Sequence, residues 1–133
     1  MASNGYDTTS MAGGTKLSRL TRDGLAGVLT DGRLRDFDEL VNEPFASWCS
    51  GEALQWGGGT VTPYLANVPV VVSGVGIHPG QYIFCDASGA VVIPEADVDA
   101  VLEVAHQIQT DDRNFRAQIS TENVGTAAEV NEV

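Results

Sequence analysis

The sequence predicts an α/β fold built as one domain, and three observations predict it. Short apolar runs bounded by turn residues recur, most densely over residues 68–93. From Pro94 onward the apolar residues fall at helical spacing instead. Hydrophobic residues are 43% and charged residues 19% of 133, enough apolar material for one core and too much for a disordered chain. The expected divisions are a flexible arm over residues 1–12, a core over 13–119 and a tail over 120–133.

The arm is polar, small and without period. Gly13-Gly14 then leads into a short helix over 15–23, where Leu17 and Leu20 are three apart and Gly24 lies just past the C-terminus. A double glycine entering a helix leaves backbone N–H groups free at the positive end of the helix dipole. That suits an anion, and it suits an ordinary loop equally. Residues 25–29 read as a short buried strand. Thr30-Asp31-Gly32 turns the chain, and Arg35 and Asp36 follow side by side. An Arg can clamp a carboxylate through two parallel hydrogen bonds, and an Asp can hold a hard divalent cation. A surface ion pair after a hairpin is the plainer reading of the same two residues.

Residues 37–41 make one helical turn before Glu43-Pro44, and 45–49 suit a strand. Residues 50–60, with Gly57-Gly58-Gly59, form the longest irregular segment, of a kind that is usually functional or mobile. Trp48 and Trp56 flank it and read as packing or interface residues. Val68-Pro69-Val70-Val71-Val72 and residues 75–77 are strands. His78-Pro79-Gly80 turns into 81–85, and Asp86-Ala87-Ser88-Gly89 into 90–93, which predicts antiparallel or mixed pairing. His78, beside Pro-Gly, reads as a turn residue ahead of a metal ligand. From Pro94-Glu95 a helix places Val98, Val101, Leu102, Ala105 and Ile108 on one face; Phe115 and Ile119 extend the stripe if it passes Asp111-Asp112. The acidic tail docks on a neighbouring chain or frays.

A net charge of −11 against seven Lys and Arg argues against a nucleic-acid surface. No apolar run nears the roughly 18 residues of a membrane helix, and the start of the chain lacks a basic-then-apolar signal pattern. A cytoplasmic location and no membrane partner are expected. Cys49 and Cys85 lie far apart, without metal-finger spacing, and read as small buried residues. There is no Gly-x-Gly-x-x-Gly, no Walker loop and no Gly-x-Ser-x-Gly elbow.

Gly13-Gly14 followed by Arg22-Asp23-Gly24-Leu25-Ala26-Gly27-Val28-Leu29-Thr30-Asp31-Gly32-Arg33-Leu34-Arg35-Asp36 forms one block. Asn67-Val68-Pro69-Val70, Gly74-Val75-Gly76-Ile77-His78-Pro79-Gly80 and Asp86-Ala87-Ser88-Gly89-Ala90-Val91-Val92-Ile93-Pro94 form a second. Together, in that order, they resemble the RraA-like family, named for a regulator of ribonuclease activity and including 4-hydroxy-4-methyl-2-oxoglutarate aldolases. The resemblance runs from about residue 13 to 119. It implies a three-layer β/β/α sandwich of the swivelling-domain kind, assembled as homotrimers or hexamers with sites between subunits. Members carry a substantial region before the Gly-Gly turn; its near absence here implies a fragment, a misassigned start or a layer supplied by a partner.

The activity implied is that of a divalent-metal-dependent lyase on a small 2-oxo acid. It would cleave 4-hydroxy-4-methyl-2-oxoglutarate or decarboxylate oxaloacetate through a metal-stabilised pyruvate enolate. By the resemblance Arg35 holds the pyruvyl carboxylate. Asp36 anchors Mg²⁺, or another divalent cation such as Mn²⁺. The backbone at Gly14, Thr15 and Lys16 supplies amide donors, and Gly14 stands where aldolase members carry an acid. A further acid from a neighbouring subunit's helix would correspond to Asp111 or Asp112. The alternative is a non-catalytic regulator that works by protein contact, or a truncated partner subunit.

Overall fold

The computed structural model describes residues 1–122, and its contacts divide the chain into a first unit, Met1–Val92, and a second that begins at Ile93. In the first unit β1 (Ser10–Ala12) leads into α1 (Gly14–Arg22), and β2 (Gly27–Leu29) and β3 (Arg33–Leu34) follow. Then come α2 (Phe37–Leu40), β4 (Ala46–Trp48), β5 (Val70–Val72), β6 (Val75–Ile77) and β7 (Tyr82–Asp86), with β8 (Gly89–Ile93) crossing the boundary. The pairing is mixed. β1 runs parallel to β3 and β2 parallel to β4, β5 and β6 are antiparallel, and β7 pairs with β8. The fold is α/β, as expected.

The core sits under α1. Leu17 of α1 and Leu34 of β3 are fully buried, and Ala12, Val28, Leu40 and Phe45 close around them. One face of α1 is thereby committed to packing, which turns Thr15, Lys16 and Arg19 outward. The helix stops where Gly24 was expected to stop it. Gly24 has φ +95°, its N–H donates to Thr21 O (2.9 Å), and the Leu25 N–H donates to Leu20 O (3.0 Å). This is a Schellman closure, which a side chain at that φ would strain.

The flexible arm expected over residues 1–12 is instead part of the unit. Ser3, Thr9, Ser10 and Ala12 are buried, the Ser3 N–H donates to Asp31 Oδ1 (2.6 Å), and the Ser10 N–H to Gln55 O (3.0 Å). A three-residue strand is too short to show alternation, and its partners lie far along the sequence. Asp31 gains from the same contacts. Partial burial disfavours its charged form, but hydrogen bonds from Ser3 and the Ser73 N–H outweigh that and hold the carboxyl below its ordinary value.

The irregular segment is longer than expected, running over 49–69 with only single bridges from Glu52 to Leu34 and from Gln55 to Thr9. Cys49 and Cys85 are free and half-buried; burial, and then the Asp86 carboxylate beside it, pushes the Cys85 thiol up. His78 is a turn residue whose N–H donates to Gln81 Oε1 (2.8 Å).

In the second unit a 3-10 turn at Glu95–Asp97 opens α2's longer counterpart, α3 (Val98–Ile119), which passes through Asp111-Asp112. Its apolar stripe is present but uncovered: no residue of α3 is buried, and Val101, Leu102, Ile108, Phe115 and Ile119 are exposed. Most of the expected tail, 123–133, lies outside the described residues. Among the described residues no helix is long and apolar enough to cross a membrane.

Candidate anion and metal cleft

The site begins with a backbone irregularity. Asp36, between β3 and α2, has φ +68° and ψ +45°, the left-handed conformation that Asp tolerates better than most side chains. Its carbonyl accepts the Glu39 and Leu40 N–H groups (2.9 and 3.0 Å), so α2 starts there. Its side chain does nothing for α2 and reaches across to α1. Oδ2 accepts the Gly14 N–H (3.0 Å), and Oδ1 accepts Arg35 Nε–H (2.9 Å). The cap residue of α1, Gly13, has no side chain to offer, so Asp36 supplies the negative charge its first turn favours. Arg35 is fixed in turn by its own N–H, which donates to Ala12 O (3.0 Å).

This close approach explains the first glycine. A methyl group on Gly13 would overlap Asp36 Oδ2 and come within 3.3 Å of its Cγ. One on Gly14 would overlap Glu39 Oε2, so the space beside Gly14 is already filled by a carboxylate. The double glycine is needed for contact with acids as well as for exposing amides.

The structure brings Gly14, Thr15, Lys16, Arg35 and Asp36 together, with differences in what each offers. The Gly14 N–H is engaged by Asp36, and the Lys16 N–H turns back to Gly13 O (3.1 Å) in a tightened first turn. Among the described residues the Thr15 N–H alone of these three has no partner. Lys16 contributes its ammonium instead, with Nζ donating to Met11 O (3.1 Å).

Thr15, Lys16, Arg35 and Asp36, with Gly13 in place of Gly14, line a cleft of about 410 Å³, a size that suits a small organic acid. Its charged lining is Lys16, Arg19, Arg35 and Asp36. Three of the chain's seven Lys and Arg therefore face one cleft in a molecule of net charge −11, a strong local bias towards anions. Two residues here escaped the sequence reading. Arg19 is one turn along α1 from Thr15, and the helical spacing would have found it. Trp56, read as a packing residue, is exposed and forms part of the cleft wall. A second cleft of about 420 Å³, around Phe37, Leu40, Phe45 and Trp48, has no charged side chain in its lining.

Asp36 is the single acid lining the charged cleft, and among the described residues no three His, Cys, Asp or Glu side chains gather to enclose a metal ion. Each Asp36 oxygen keeps acceptor capacity beyond the bond it already makes. The donor set thus fits Mg²⁺ as a one-carboxylate ligand whose shell is completed by water and a bound acid. Asp111 lies on α3, where it accepts a hydrogen bond from Gln107 Nε2 (3.0 Å).

Fold and cleft together define an α/β protein with a cation-lined seat for a small organic anion. Comparison with known proteins gives that class a family: residues 1–92 match the RraA-like profile described as Aldolase/RraA, and the chain belongs to the RraA-like family. A protein of Halalkalibacterium halodurans, provisionally named a 4-hydroxy-4-methyl-2-oxoglutarate aldolase, is 34% identical over 113 residues, covering 85% of this chain and 53% of that protein. Among solved structures, an uncharacterized protein from Pseudomonas syringae pv. tomato superposes with a TM-score of 0.83 at 25% identity, over 92% of this chain and 62% of its own. Streptomyces coelicolor RraAS2, described as an unusual member of the RNase ES inhibitor RraA family, gives 0.78 at 26% identity, over 88% and 60%. The chain spans about half the length of the aldolase-named relative.

Proposed function

We propose that the chain carries the site of a divalent-metal-dependent lyase acting on a small 2-oxo acid. The reaction is retro-aldol cleavage of a 4-hydroxy-4-methyl-2-oxoglutarate type substrate, decarboxylation of oxaloacetate, or both. The observation that carries this reading is the Arg35–Asp36 pair, fastened to the N-terminus of α1 at the wall of a cleft with surplus positive charge. The aldolase-named relative supports it.

Arg35 spends Nε–H on Asp36 and keeps its Nη groups, which clamp the substrate carboxylate in the cleft. The Thr15 N–H and the positive end of α1 add to the same attraction. Asp36 is preset by its left-handed backbone and by two hydrogen bonds, so its carboxylate needs little reorganisation. Asp36 would hold the divalent cation, whose chemistry there would be to offset negative charge developing on the substrate oxygen. Trp56 gives the cleft part of its apolar wall. The uncovered stripe of α3 supports assembly with further copies of the chain, as a trimer or hexamer, and the proposal places the protein in the cytoplasm.

Metal-dependent pyruvate release from 4-hydroxy-4-methyl-2-oxoglutarate or oxaloacetate tests the reading. Release should stop with EDTA and fall at least a hundredfold in Arg35→Ala, roughly the weight of a lost charged clamp. Activity that survives Arg35→Ala removes the proposed site. A second reading, a non-catalytic regulator acting by protein contact, is favoured by Gly14, which brings no acidic side chain to the cleft, and by the inhibitor family of the Streptomyces relative. It requires that no 2-oxo acid be turned over.

A further inference from the structure

Arg19 is unexplained by the chemistry above. It lines the same cleft as Arg35, yet the two cations differ in their commitments. Arg35 is bonded to Asp36, and Lys16 holds the Met11 carbonyl. The Arg19 guanidinium has no hydrogen bond or ion pair among the described residues, while its backbone carbonyl accepts the Asp23 N–H (3.3 Å). An unpaired guanidinium facing a cleft is available to an anion, and its planar fork suits a carboxylate.

Arg35 is tied through Asp36 to Gly14, at the first turn of α1, and Arg19 follows on the next turn. The cleft is therefore lined by two guanidinium groups from different elements, Arg19 from α1 and Arg35 from the segment after β3. Two guanidinium groups facing one cleft suit an acid that carries two carboxylates. Trp56 on the opposing loop gives the carbon chain an apolar wall.

We infer that Arg19 is a specificity-determining residue that binds the distal carboxylate of the substrate, while Arg35 takes the carboxylate next to the keto group. The inference rests on the 2-oxo acid reading, and it selects dicarboxylic over monocarboxylic 2-oxo acids. Arg19 touches no reacting atom and serves only to hold and orient.

The test is equilibrium binding by calorimetry on the full chain with Mg²⁺ present, using pyruvate and 2-oxoglutarate as probes. Wild type should bind 2-oxoglutarate about tenfold more tightly than pyruvate, the weight of one partly exposed charged hydrogen bond. Arg19→Gln should erase that preference and leave pyruvate affinity unchanged, and Arg19→Lys should restore part of it. With a cleavable dicarboxylate, Arg19→Gln should raise KM and leave kcat nearly constant. Equal weakening of both probes, or no change in either, overturns the role of Arg19. If the preference and its loss are observed but no pyruvate is ever released, Arg19 stands as a binding residue and the lyase reading fails alone. If wild type binds neither probe, both fall.

Discussion

Replacing Gly13 by Ala tests the central geometry with a single methyl group. The backbone at Gly13 (φ −133°, ψ −178°) is extended and open to any residue, so Ala brings no conformational strain of its own. The cost arises from overlap with Asp36 Oδ2, and Asp36 cannot step aside freely because its left-handed backbone directs the side chain at α1. Moving the carboxylate breaks its bonds to the Gly14 N–H and to Arg35 Nε. Charged hydrogen bonds of this kind are worth about 2 kcal/mol in the interior. With side chains 35% and 29% exposed, solvent reduces each to about 1 kcal/mol. The expected loss is therefore about 2 kcal/mol, or a Tm lowered by roughly 8 °C for a domain of this size. Gly76→Ala is the control, since a methyl there meets nothing within 4 Å. Thermal unfolding followed by circular dichroism reads both variants. A Gly13→Ala protein that melts within about 1 °C of the control would refute the claim that Asp36 is pinned against α1.

Other substitutions separate stability from chemistry. Asp36→Ala should cost about 1–2 kcal/mol, from the lost cap of α1 and a left-handed alanine, while Asp36→Asn should cost less; both should lose metal-dependent turnover in the pyruvate assay. Leu17→Ala, at a fully buried position, should destabilise by about 3 kcal/mol in urea titration. Because the folded carboxyl of Asp31 lies below its ordinary value, its stabilisation is complete above about pH 4 and is lost as the pH falls through the folded pKa. The advantage of wild type over Asp31→Ala should accordingly fade in an acid series below pH 4 and stay flat above it. Trp56→Phe should remove the part of the tryptophan fluorescence that responds to 2-oxo acid binding, leaving Trp48, whose Nε1–H donates to Asp86 O (3.0 Å), as a silent reporter.

What could be read from the chain was local. Gly24 past a helix, the strands around Val70 and Val75, the long helix after Pro94 and the adjacency of Arg35 and Asp36 all depend on residues a few positions apart. The arm that became β1 could not be read, because three residues paired with β3 leave no pattern of their own. The cleft needed distance too. Trp56 becomes a wall only when the irregular segment lies against β1 through the Gln55 carbonyl. The capture of the Gly14 amide by Asp36 was likewise invisible, since it depends on a left-handed backbone that spacing does not reveal. Arg19 was the exception: α1 was anticipated, and reading its outward face would have sufficed.

The parallel ladder between β1 and β3 also governs how this molecule acquires its pocket. Strands joined that way meet only when the stretch of chain between them, which carries α1 and β2, has closed into a loop, an entropic toll that precedes any reward. The ligand seat, lined from both ends of that loop by residues 10–12 and by Arg35 and Asp36, cannot exist before the closure. During refolding, the capacity to hold an organic acid should therefore return no earlier than the docking of the first strand.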